Sequence, residues 1–154
     1  PPPRWLARLG SGFRTMVRRR PRPVLAVPGT FSPLTRALLA YDGSPKAEEA
    51  LFVATYLAGR WDMPLTVVTV LERGRTTSTT CERAERYLQD HGVRAEFVSQ
   101  SGNVADVVLR AAADQHSDLL IMGGYGFTPL LEAMLGSSVD QVLRESRQPI
   151  LICR

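Results

Sequence analysis

The chain predicts an open α/β fold: a five-stranded parallel sheet in the order 3-2-1-4-5, with helices on both faces. Three observations point there. From residue 36 onward, short apolar runs alternate with amphipathic stretches. The runs are rich in Val, Ile and Leu, as buried parallel strands are. Two strand ends carry unusual loop chemistry, Asp42-Gly43-Ser44 after the first and Gly123-Gly124-Tyr125-Gly126 after the fourth. Strand–helix alternation means right-handed crossovers and parallel pairing. In such sheets a ligand sits beyond the carboxyl ends of the strands, where the strand order reverses. If both loops line one crevice, strands one and four are neighbours, and that fixes the order.

The elements follow in turn. Ala37 to Ala40 is a short buried strand, ended by Asp42-Gly43. Ser44 caps a helix with Pro45 at its first position, a favoured helix start. Ala47, Ala50, Leu51, Ala54, Leu57 and Ala58 follow at helical spacing, and Gly59 is expected to stop the helix. Leu65 to Leu71, rich in Val and Thr, is the second strand, and the polar stretch 72–79 is a loop. Residues 80–91 form a helix ended by Gly92, and Val93 to Val98 is the third strand. Asn103 caps a helix whose inner face is Val104, Val107, Val108, Ala111 and Ala112. Leu119 to Met122 is the fourth strand, wholly apolar and central. A helix over 138–145 and a strand over 149–153 close the unit.

Composition excludes several classes. At 154 residues the chain fits one domain with a fragment to spare, and 44% hydrophobic with 22% charged residues is a globular balance. No apolar run reaches the ~18 residues of a membrane span, and Pro1 to Trp5 has no signal-peptide pattern. Two cysteines, Cys81 and Cys153, make no disulfide framework, and with His91 and His116 they make no zinc set. A reducing cytoplasm is the expected location. The net charge of +4 is uneven: the first 35 residues hold seven arginines and no acid. The remainder is acidic, so the basic character belongs to the leading segment and not to the main unit.

The second loop has the chemistry of an anion cradle. Gly123-Gly124-Tyr125-Gly126 is followed after nine residues by Gly136-Ser137-Ser138, which opens a helix. Glycines let backbone N–H groups approach an anion, and a helix N-terminus adds free donors and a positive dipole end. The serines add hydroxyls, and Asp42 opposite can accept hydrogen bonds from a ribose or a base. The spacing Gly123-x2-Gly126-x9-Gly136-Ser137 resembles the nucleotide-binding motif of the universal stress protein family. Leu39 to Ser44 resembles that family's first strand and its Asp, and Thr69-Val70 the end of its second strand. The resemblance runs from about Arg36 to the C-terminus. It implies an adenine-nucleotide alpha-hydrolase-like fold binding ATP, ADP or AMP, with or without Mg2+. Ala40, Asp42 and Val70 would hold the adenine and ribose side, and Gly123, Gly126, Gly136, Ser137 and Ser138 the phosphates. Tyr125 and Phe127 stand where basic residues are frequent in the family, which leaves the binding to backbone donors.

The leading segment repeats the C-terminus. Shifted by 126 residues, positions 3–27 show eight identities in 25, among them Leu9-Gly10-Ser11 on Leu135-Gly136-Ser137, Pro23 on Pro149 and Leu25 on Leu151. Residues 1–27 are therefore expected to be the C-terminal remnant of a preceding universal-stress-like domain, 28–35 a linker, and 36–154 a universal stress protein domain. The chain reads as the C-terminal part of a tandem protein. Val24 to Val27 is expected to pair antiparallel with Ile150 to Cys153, within one chain as a pseudo-dimer or between chains as a homodimer.

The resulting expectation is a cytoplasmic stress-response sensor or regulator that binds an adenine nucleotide, with no nucleic-acid or membrane partner. No catalytic residue and no metal ligand is expected, because nothing resembles a nucleophile–base pair and the two histidines lie at a helix end and before a strand; slow ATP hydrolysis is left open. The alternative is a dimerisation or scaffold domain of the same fold without nucleotide. An ATP-using enzyme ranks lower, because Tyr41 to Pro45 is not the Ser-Gly-Gly-x-Asp-Ser loop such enzymes carry after strand one.

Overall fold

The computed structural model of the chain describes residues 15–17, 19, 21–71, 78–124 and 138–153. In chain order the elements are β1 (Val24–Ala26), β2 (Ala37–Ala40), α1 (Pro45–Trp61), β3 (Leu65–Val70), α2 (Ser78–Asp90), β4 (Ala95–Gln100), α3 (Val104–Asp114), β5 (Leu119–Gly123), α4 (Ser138–Glu145) and β6 (Ile150–Cys153).

The strands form one sheet in the order β1-β6-β5-β2-β3-β4. Counted from β2, the last five stand in the expected 3-2-1-4-5 order and are all parallel. The expected five-stranded parallel sheet is corrected to a mixed sheet of six. β1 adds antiparallel to β6, pairing Val24 with Ile152, Leu25 with Leu151 and Ala26 with Ile150. A bare edge on β6 would leave a row of unpaired N–H and C=O groups, and β1 satisfies it. The register has a symmetry that the repeat explains. The 126-residue shift carries Leu25 onto Leu151, its own ladder partner, and carries Val24 and Ala26 onto Ile150 and Ile152.

Alternation along the strands builds a core on each face of the sheet. Leu38, Val68, Leu120, Met122, Ile150 and Ile152 pack under α3 and α4, and Val17 joins them. Leu39, Val67, Leu119 and Ile121 point the other way, under α1 and α2. β2, β3 and β5 are buried on both faces, which is why β2 and β5 read as unbroken apolar runs and β3 as a valine-rich run broken only by the buried Thr66 and Thr69.

The helix starts follow their caps. Ser44 Oγ accepts from Ala47 N at 3.2 Å, and Asn103 Oδ1 accepts from Asp106 N at 3.2 Å. Three expected boundaries are corrected. Gly59 does not end α1, which runs to Trp61 and closes on Asp62 in the left-handed region at φ 50°. The third strand is Ala95–Gln100 and not 93–98, because Val93 is still committed to the turn that closes α2, its N–H donating back to Leu88 O. Residues 78–79, expected in a loop, already belong to α2; positions 72–77 lie outside the described residues.

The segment 28–35 is tied down mainly by Asp118, with Thr30 Oγ1 also donating to Arg147 O at 3.0 Å. Asp118, just before β5, accepts from Thr35 N, Thr35 Oγ1 and Arg36 N at 2.8–2.9 Å. Its backbone carbonyl also accepts from Ser32 Oγ at 2.7 Å. Burial alone would raise the Asp118 carboxyl, but these donors together hold it below its ordinary value.

Candidate nucleotide cleft

β2 pairs with β3 on one side and β5 on the other, so the sheet's strand order reverses at β2. The chain leaves β3 on one side and β5 on the other, and a crevice opens beyond their carboxyl ends. A cavity of about 180 Å³ occupies it. Its floor is apolar, with Ala40, Val68, Val70 and Met122 from the strands and Val104 and Val108 from α3. Its polar rim comes from Asp42, Ser44 and Ser138, with the backbone of Gly123 and Gly124.

Five of the eight residues predicted for the site line this one cavity: Ala40, Asp42, Val70, Gly123 and Ser138. They come from four separate segments, which only the fold brings together. Gly126, Gly136 and Ser137 lie outside the described residues. Sequence reading passed over Ser44, Val68, Val104, Val108 and Met122 as lining, because their apolar or capping character was already explained by strand and helix formation, while Gly124, read as part of the glycine loop, does line it.

Each end of the cleft has a local cause. The turn after β2 begins as an Asx turn, Asp42 Oδ1 accepting from Ser44 N at 2.9 Å. Gly43 then takes φ +76°, a conformation side chains rarely adopt. At the other end, Gly123 is fixed by crowding. A Cβ there would stand 2.8 Å from the Lys46 carbonyl carbon and 3.0 Å from Ala47 N, so α1 starts against bare β5 backbone. Gly124 N donates to Cys153 O, holding the chain beside the end of β6 as it leaves β5.

Beside the cleft lies a polar cluster that sequence reading missed. Tyr41 is buried, and its hydroxyl donates to Glu48 Oε1 at 2.6 Å. Arg83 of α2 donates from Nε to that hydroxyl at 3.1 Å and from Nη2 to Gly43 O at 2.7 Å, and it also pairs with Glu48. Burial, with the Glu48 contact behind it, pushes the Tyr41 phenol up to about 12. The phenol therefore keeps its proton across the physiological range and acts as a hydrogen-bonding strut.

The arrangement suits binding. His91 and His116 are exposed, their Nδ1 atoms against Tyr87 O and Asp114 O, and neither lines the cavity. Burial raises the Cys153 thiol to about 12, which removes it as a nucleophile. Among the described residues no group of three or more His, Cys, Asp or Glu could hold a metal ion. No helix among them is long and apolar enough to cross a membrane.

A mostly parallel α/β sheet with a part-polar crevice at its switch point places the protein among the open-sheet α/β folds, in which ligands sit beyond the strand ends when they bind. Comparison with known proteins narrows this further. The sequence profile of the universal stress protein family matches residues 72–154, more than half of the chain, and the chain belongs to that family. It is 32% identical over 151 residues to universal stress protein Slr1230 of Synechocystis sp., covering 95% of this chain and 52% of the relative. The chain thus spans about half the length of that relative. Among solved structures, a universal stress protein from Archaeoglobus fulgidus superposes with a TM-score of 0.82 at 23% identity, over 96% of this chain and 55% of the other. A universal stress protein of that organism in complex with dAMP superposes with a TM-score of 0.61 at 20% identity, over 78% of this chain and 98% of the other.

Proposed function

We propose that the protein binds an adenine nucleotide (ATP, ADP or AMP) in the crevice beyond β2, β3 and β5, and acts as a cytoplasmic stress sensor or regulator. The observation that carries this reading is the convergence of Ala40, Asp42, Val70, Gly123 and Ser138 on one cavity. The apolar floor of Val68, Val70, Val104 and Val108 suits the faces of a base. Asp42 suits the hydrogen-bond donors of a base or ribose. The phosphates, with Mg2+ where it accompanies ATP, lie toward Gly123, Gly126, Gly136, Ser137 and Ser138, where backbone donors carry the charge. The dAMP complex of a family member supports the chemical class of ligand.

The test is direct. The purified protein is denatured and the released small molecules are identified by mass spectrometry, and the emptied protein is titrated with ATP. An adenine nucleotide in the first measurement and saturable binding in the second are expected. Bulkier residues at Gly126 and Gly136 together should abolish binding and leave the circular dichroism unchanged. No binding up to millimolar ATP would replace this reading with the scaffold domain.

A second reading concerns organisation. Residues 1–27 are the end of a preceding unit of the same fold, joined to this one about a local two-fold axis, within one chain or between two. It is supported by the ladder of β1 on β6, which is symmetric about the repeat-equivalent pair Leu25 and Leu151. Light scattering of the chain with and without residues 1–27 tests it. Removal should expose the β6 edge and change the oligomeric state.

A further inference from the structure

Among the described residues, Asp42 is the one acidic side chain lining the cleft, and it sits in a three-residue turn whose two flanks are held by a single guanidinium. On one flank, Arg83 Nε donates to the Tyr41 hydroxyl at 3.1 Å. On the other, Arg83 Nη2 donates to Gly43 O at 2.7 Å. Glu48, in the first turn of α1, completes the closed set by accepting from Tyr41 and pairing with Arg83. The clamp also leaves no slack. A Cβ on Gly43 would meet Thr80 Cγ2 at 3.0 Å and Arg83 Nη2 at 3.1 Å, so α2 presses directly on the turn.

We propose that Arg83 is a positioning residue of the cleft: it fixes the Tyr41-Asp42-Gly43 turn and, through it, the direction in which Asp42 offers its carboxylate to a nucleotide. The proposal rests on the nucleotide reading above. The chemistry fits the task. A guanidinium presents several donors in one rigid plane, so one residue reaches a phenol and a carbonyl at fixed separation. Lysine, a single charged point on a flexible stem, cannot make both contacts in the same geometry. The Arg83 side chain is 56% exposed, so its removal leaves no large cavity. Its Glu48 pair, taken alone, is of the exposed kind that contributes little to stability. A purely structural role for the cluster therefore predicts small effects, spread evenly over the protein.

The experiment has two arms. In the first, amide hydrogen exchange is compared for the wild-type protein and Arg83→Met without added nucleotide. Exchange at Ser44, whose N–H donates to Asp42 Oδ1, should quicken by at least tenfold, while β3 and β5 stay as protected as before. Unchanged exchange at that amide would overturn the proposal, whether or not the protein binds nucleotide. In the second arm, a fluorescent adenine nucleotide is titrated into the wild-type protein, Arg83→Met, Asp42→Ala and the double variant. Arg83→Met should weaken binding by roughly tenfold, the scale of one charge-assisted hydrogen bond. In the Asp42→Ala background the same change should do nothing further, because its effect passes through Asp42. Tyr41→Phe, which keeps the ring and drops the hydroxyl, should weaken binding in the same direction. Multiplying effects of the two substitutions, or an Arg83→Met protein that binds like wild type, would overturn the proposal. Failure of the wild-type protein to bind would instead overturn the nucleotide reading, with the exchange arm still deciding whether Arg83 holds the turn.

Discussion

Replacing Gly123 by alanine adds one methyl group where two backbone segments already touch. The new Cβ would stand 2.8 Å from the Lys46 carbonyl carbon and 3.0 Å from Ala47 N. Carbon atoms in contact ordinarily keep ~3.5–4.0 Å, so roughly 0.7–1.2 Å of relief is needed. A side-chain tip could turn aside, but Lys46 and Ala47 are backbone in the first turn of α1, held by the Ser44 cap. The relief must come from moving α1 off β5, and that interface also carries Ala47, Ala50, Leu51 and Ile121 of the core. Overpacking costs ~1–3 kcal/mol, and a backbone-to-backbone clash belongs at the upper end, about 3 kcal/mol. At ~2–4 °C per kcal/mol for a chain of this size, Tm should fall by roughly 6–12 °C. Urea and thermal melts followed by circular dichroism measure it. Gly29→Ala is the control, since nothing lies within 4 Å of its added Cβ. A Gly123→Ala loss below about 0.5 kcal/mol, the range of ordinary surface changes, would refute the reasoning that crowding fixes this glycine.

Other substitutions test the remaining structural claims. Gly59→Ala should stabilise by about 1 kcal/mol, because position 59 lies inside α1 and an added Cβ meets only Val93 Cγ2 at an ordinary 3.4 Å; a lower urea midpoint would count against it. Of the two thiols, Cys81 should react with an aromatic disulfide reagent in the native protein at pH 8. Buried Cys153, its thiol pushed up to about 12, should react only on unfolding; two fast equivalents would contradict the burial. Asp118→Ala strands the Thr35 and Arg36 amides and should cost about 2 kcal/mol at pH 7. Because folding depresses the Asp118 carboxyl below its ordinary 3.8, that contribution is full above this value. It drains away as pH falls through the lower folded value, so the gap between wild type and variant should narrow in melts taken at successively lower pH below 3.8.

Much of the fold was legible because burial on both faces leaves a plain trace. β2 and β5 are unbroken apolar runs, β3 is broken only by two buried threonines, and α4 was read at its observed bounds from Ser138 to Glu145. The caps at Ser44 and Asn103 were legible for the same reason: each is a local contact three residues long. The misread boundaries depended on longer-range geometry. Gly59 resembles a helix stop, but Asp62 takes the left-handed cap, with its N–H returning to Ala58 O. Val93 has strand-like chemistry, yet its N–H is committed to Leu88 O. In both cases local propensity proposed an ending that the backbone hydrogen bonds placed elsewhere.

The cleft divides along the same line. Asp42 and Gly123 could be singled out because the turn and the glycine spacing are written in consecutive residues. Arg83 could not. In α2 it stands in the run Glu82-Arg83-Ala84-Glu85-Arg86, and nothing in that run marks one arginine over the other. Only the closeness of α2 to the Gly43 turn selects it. Gly43 and Gly123 share this dependence, because each sets how near a helix comes to a strand end, α2 in one case and α1 in the other. Both helices bear on the same short segment, since α1 begins at Pro45, directly after the turn that Arg83 holds. A methyl group at Gly123 displaces that segment from one side, and loss of Arg83 releases it from the other. The two changes should therefore weaken binding by one route while differing in stability: Gly123→Ala moves packed core, and Arg83→Met does not.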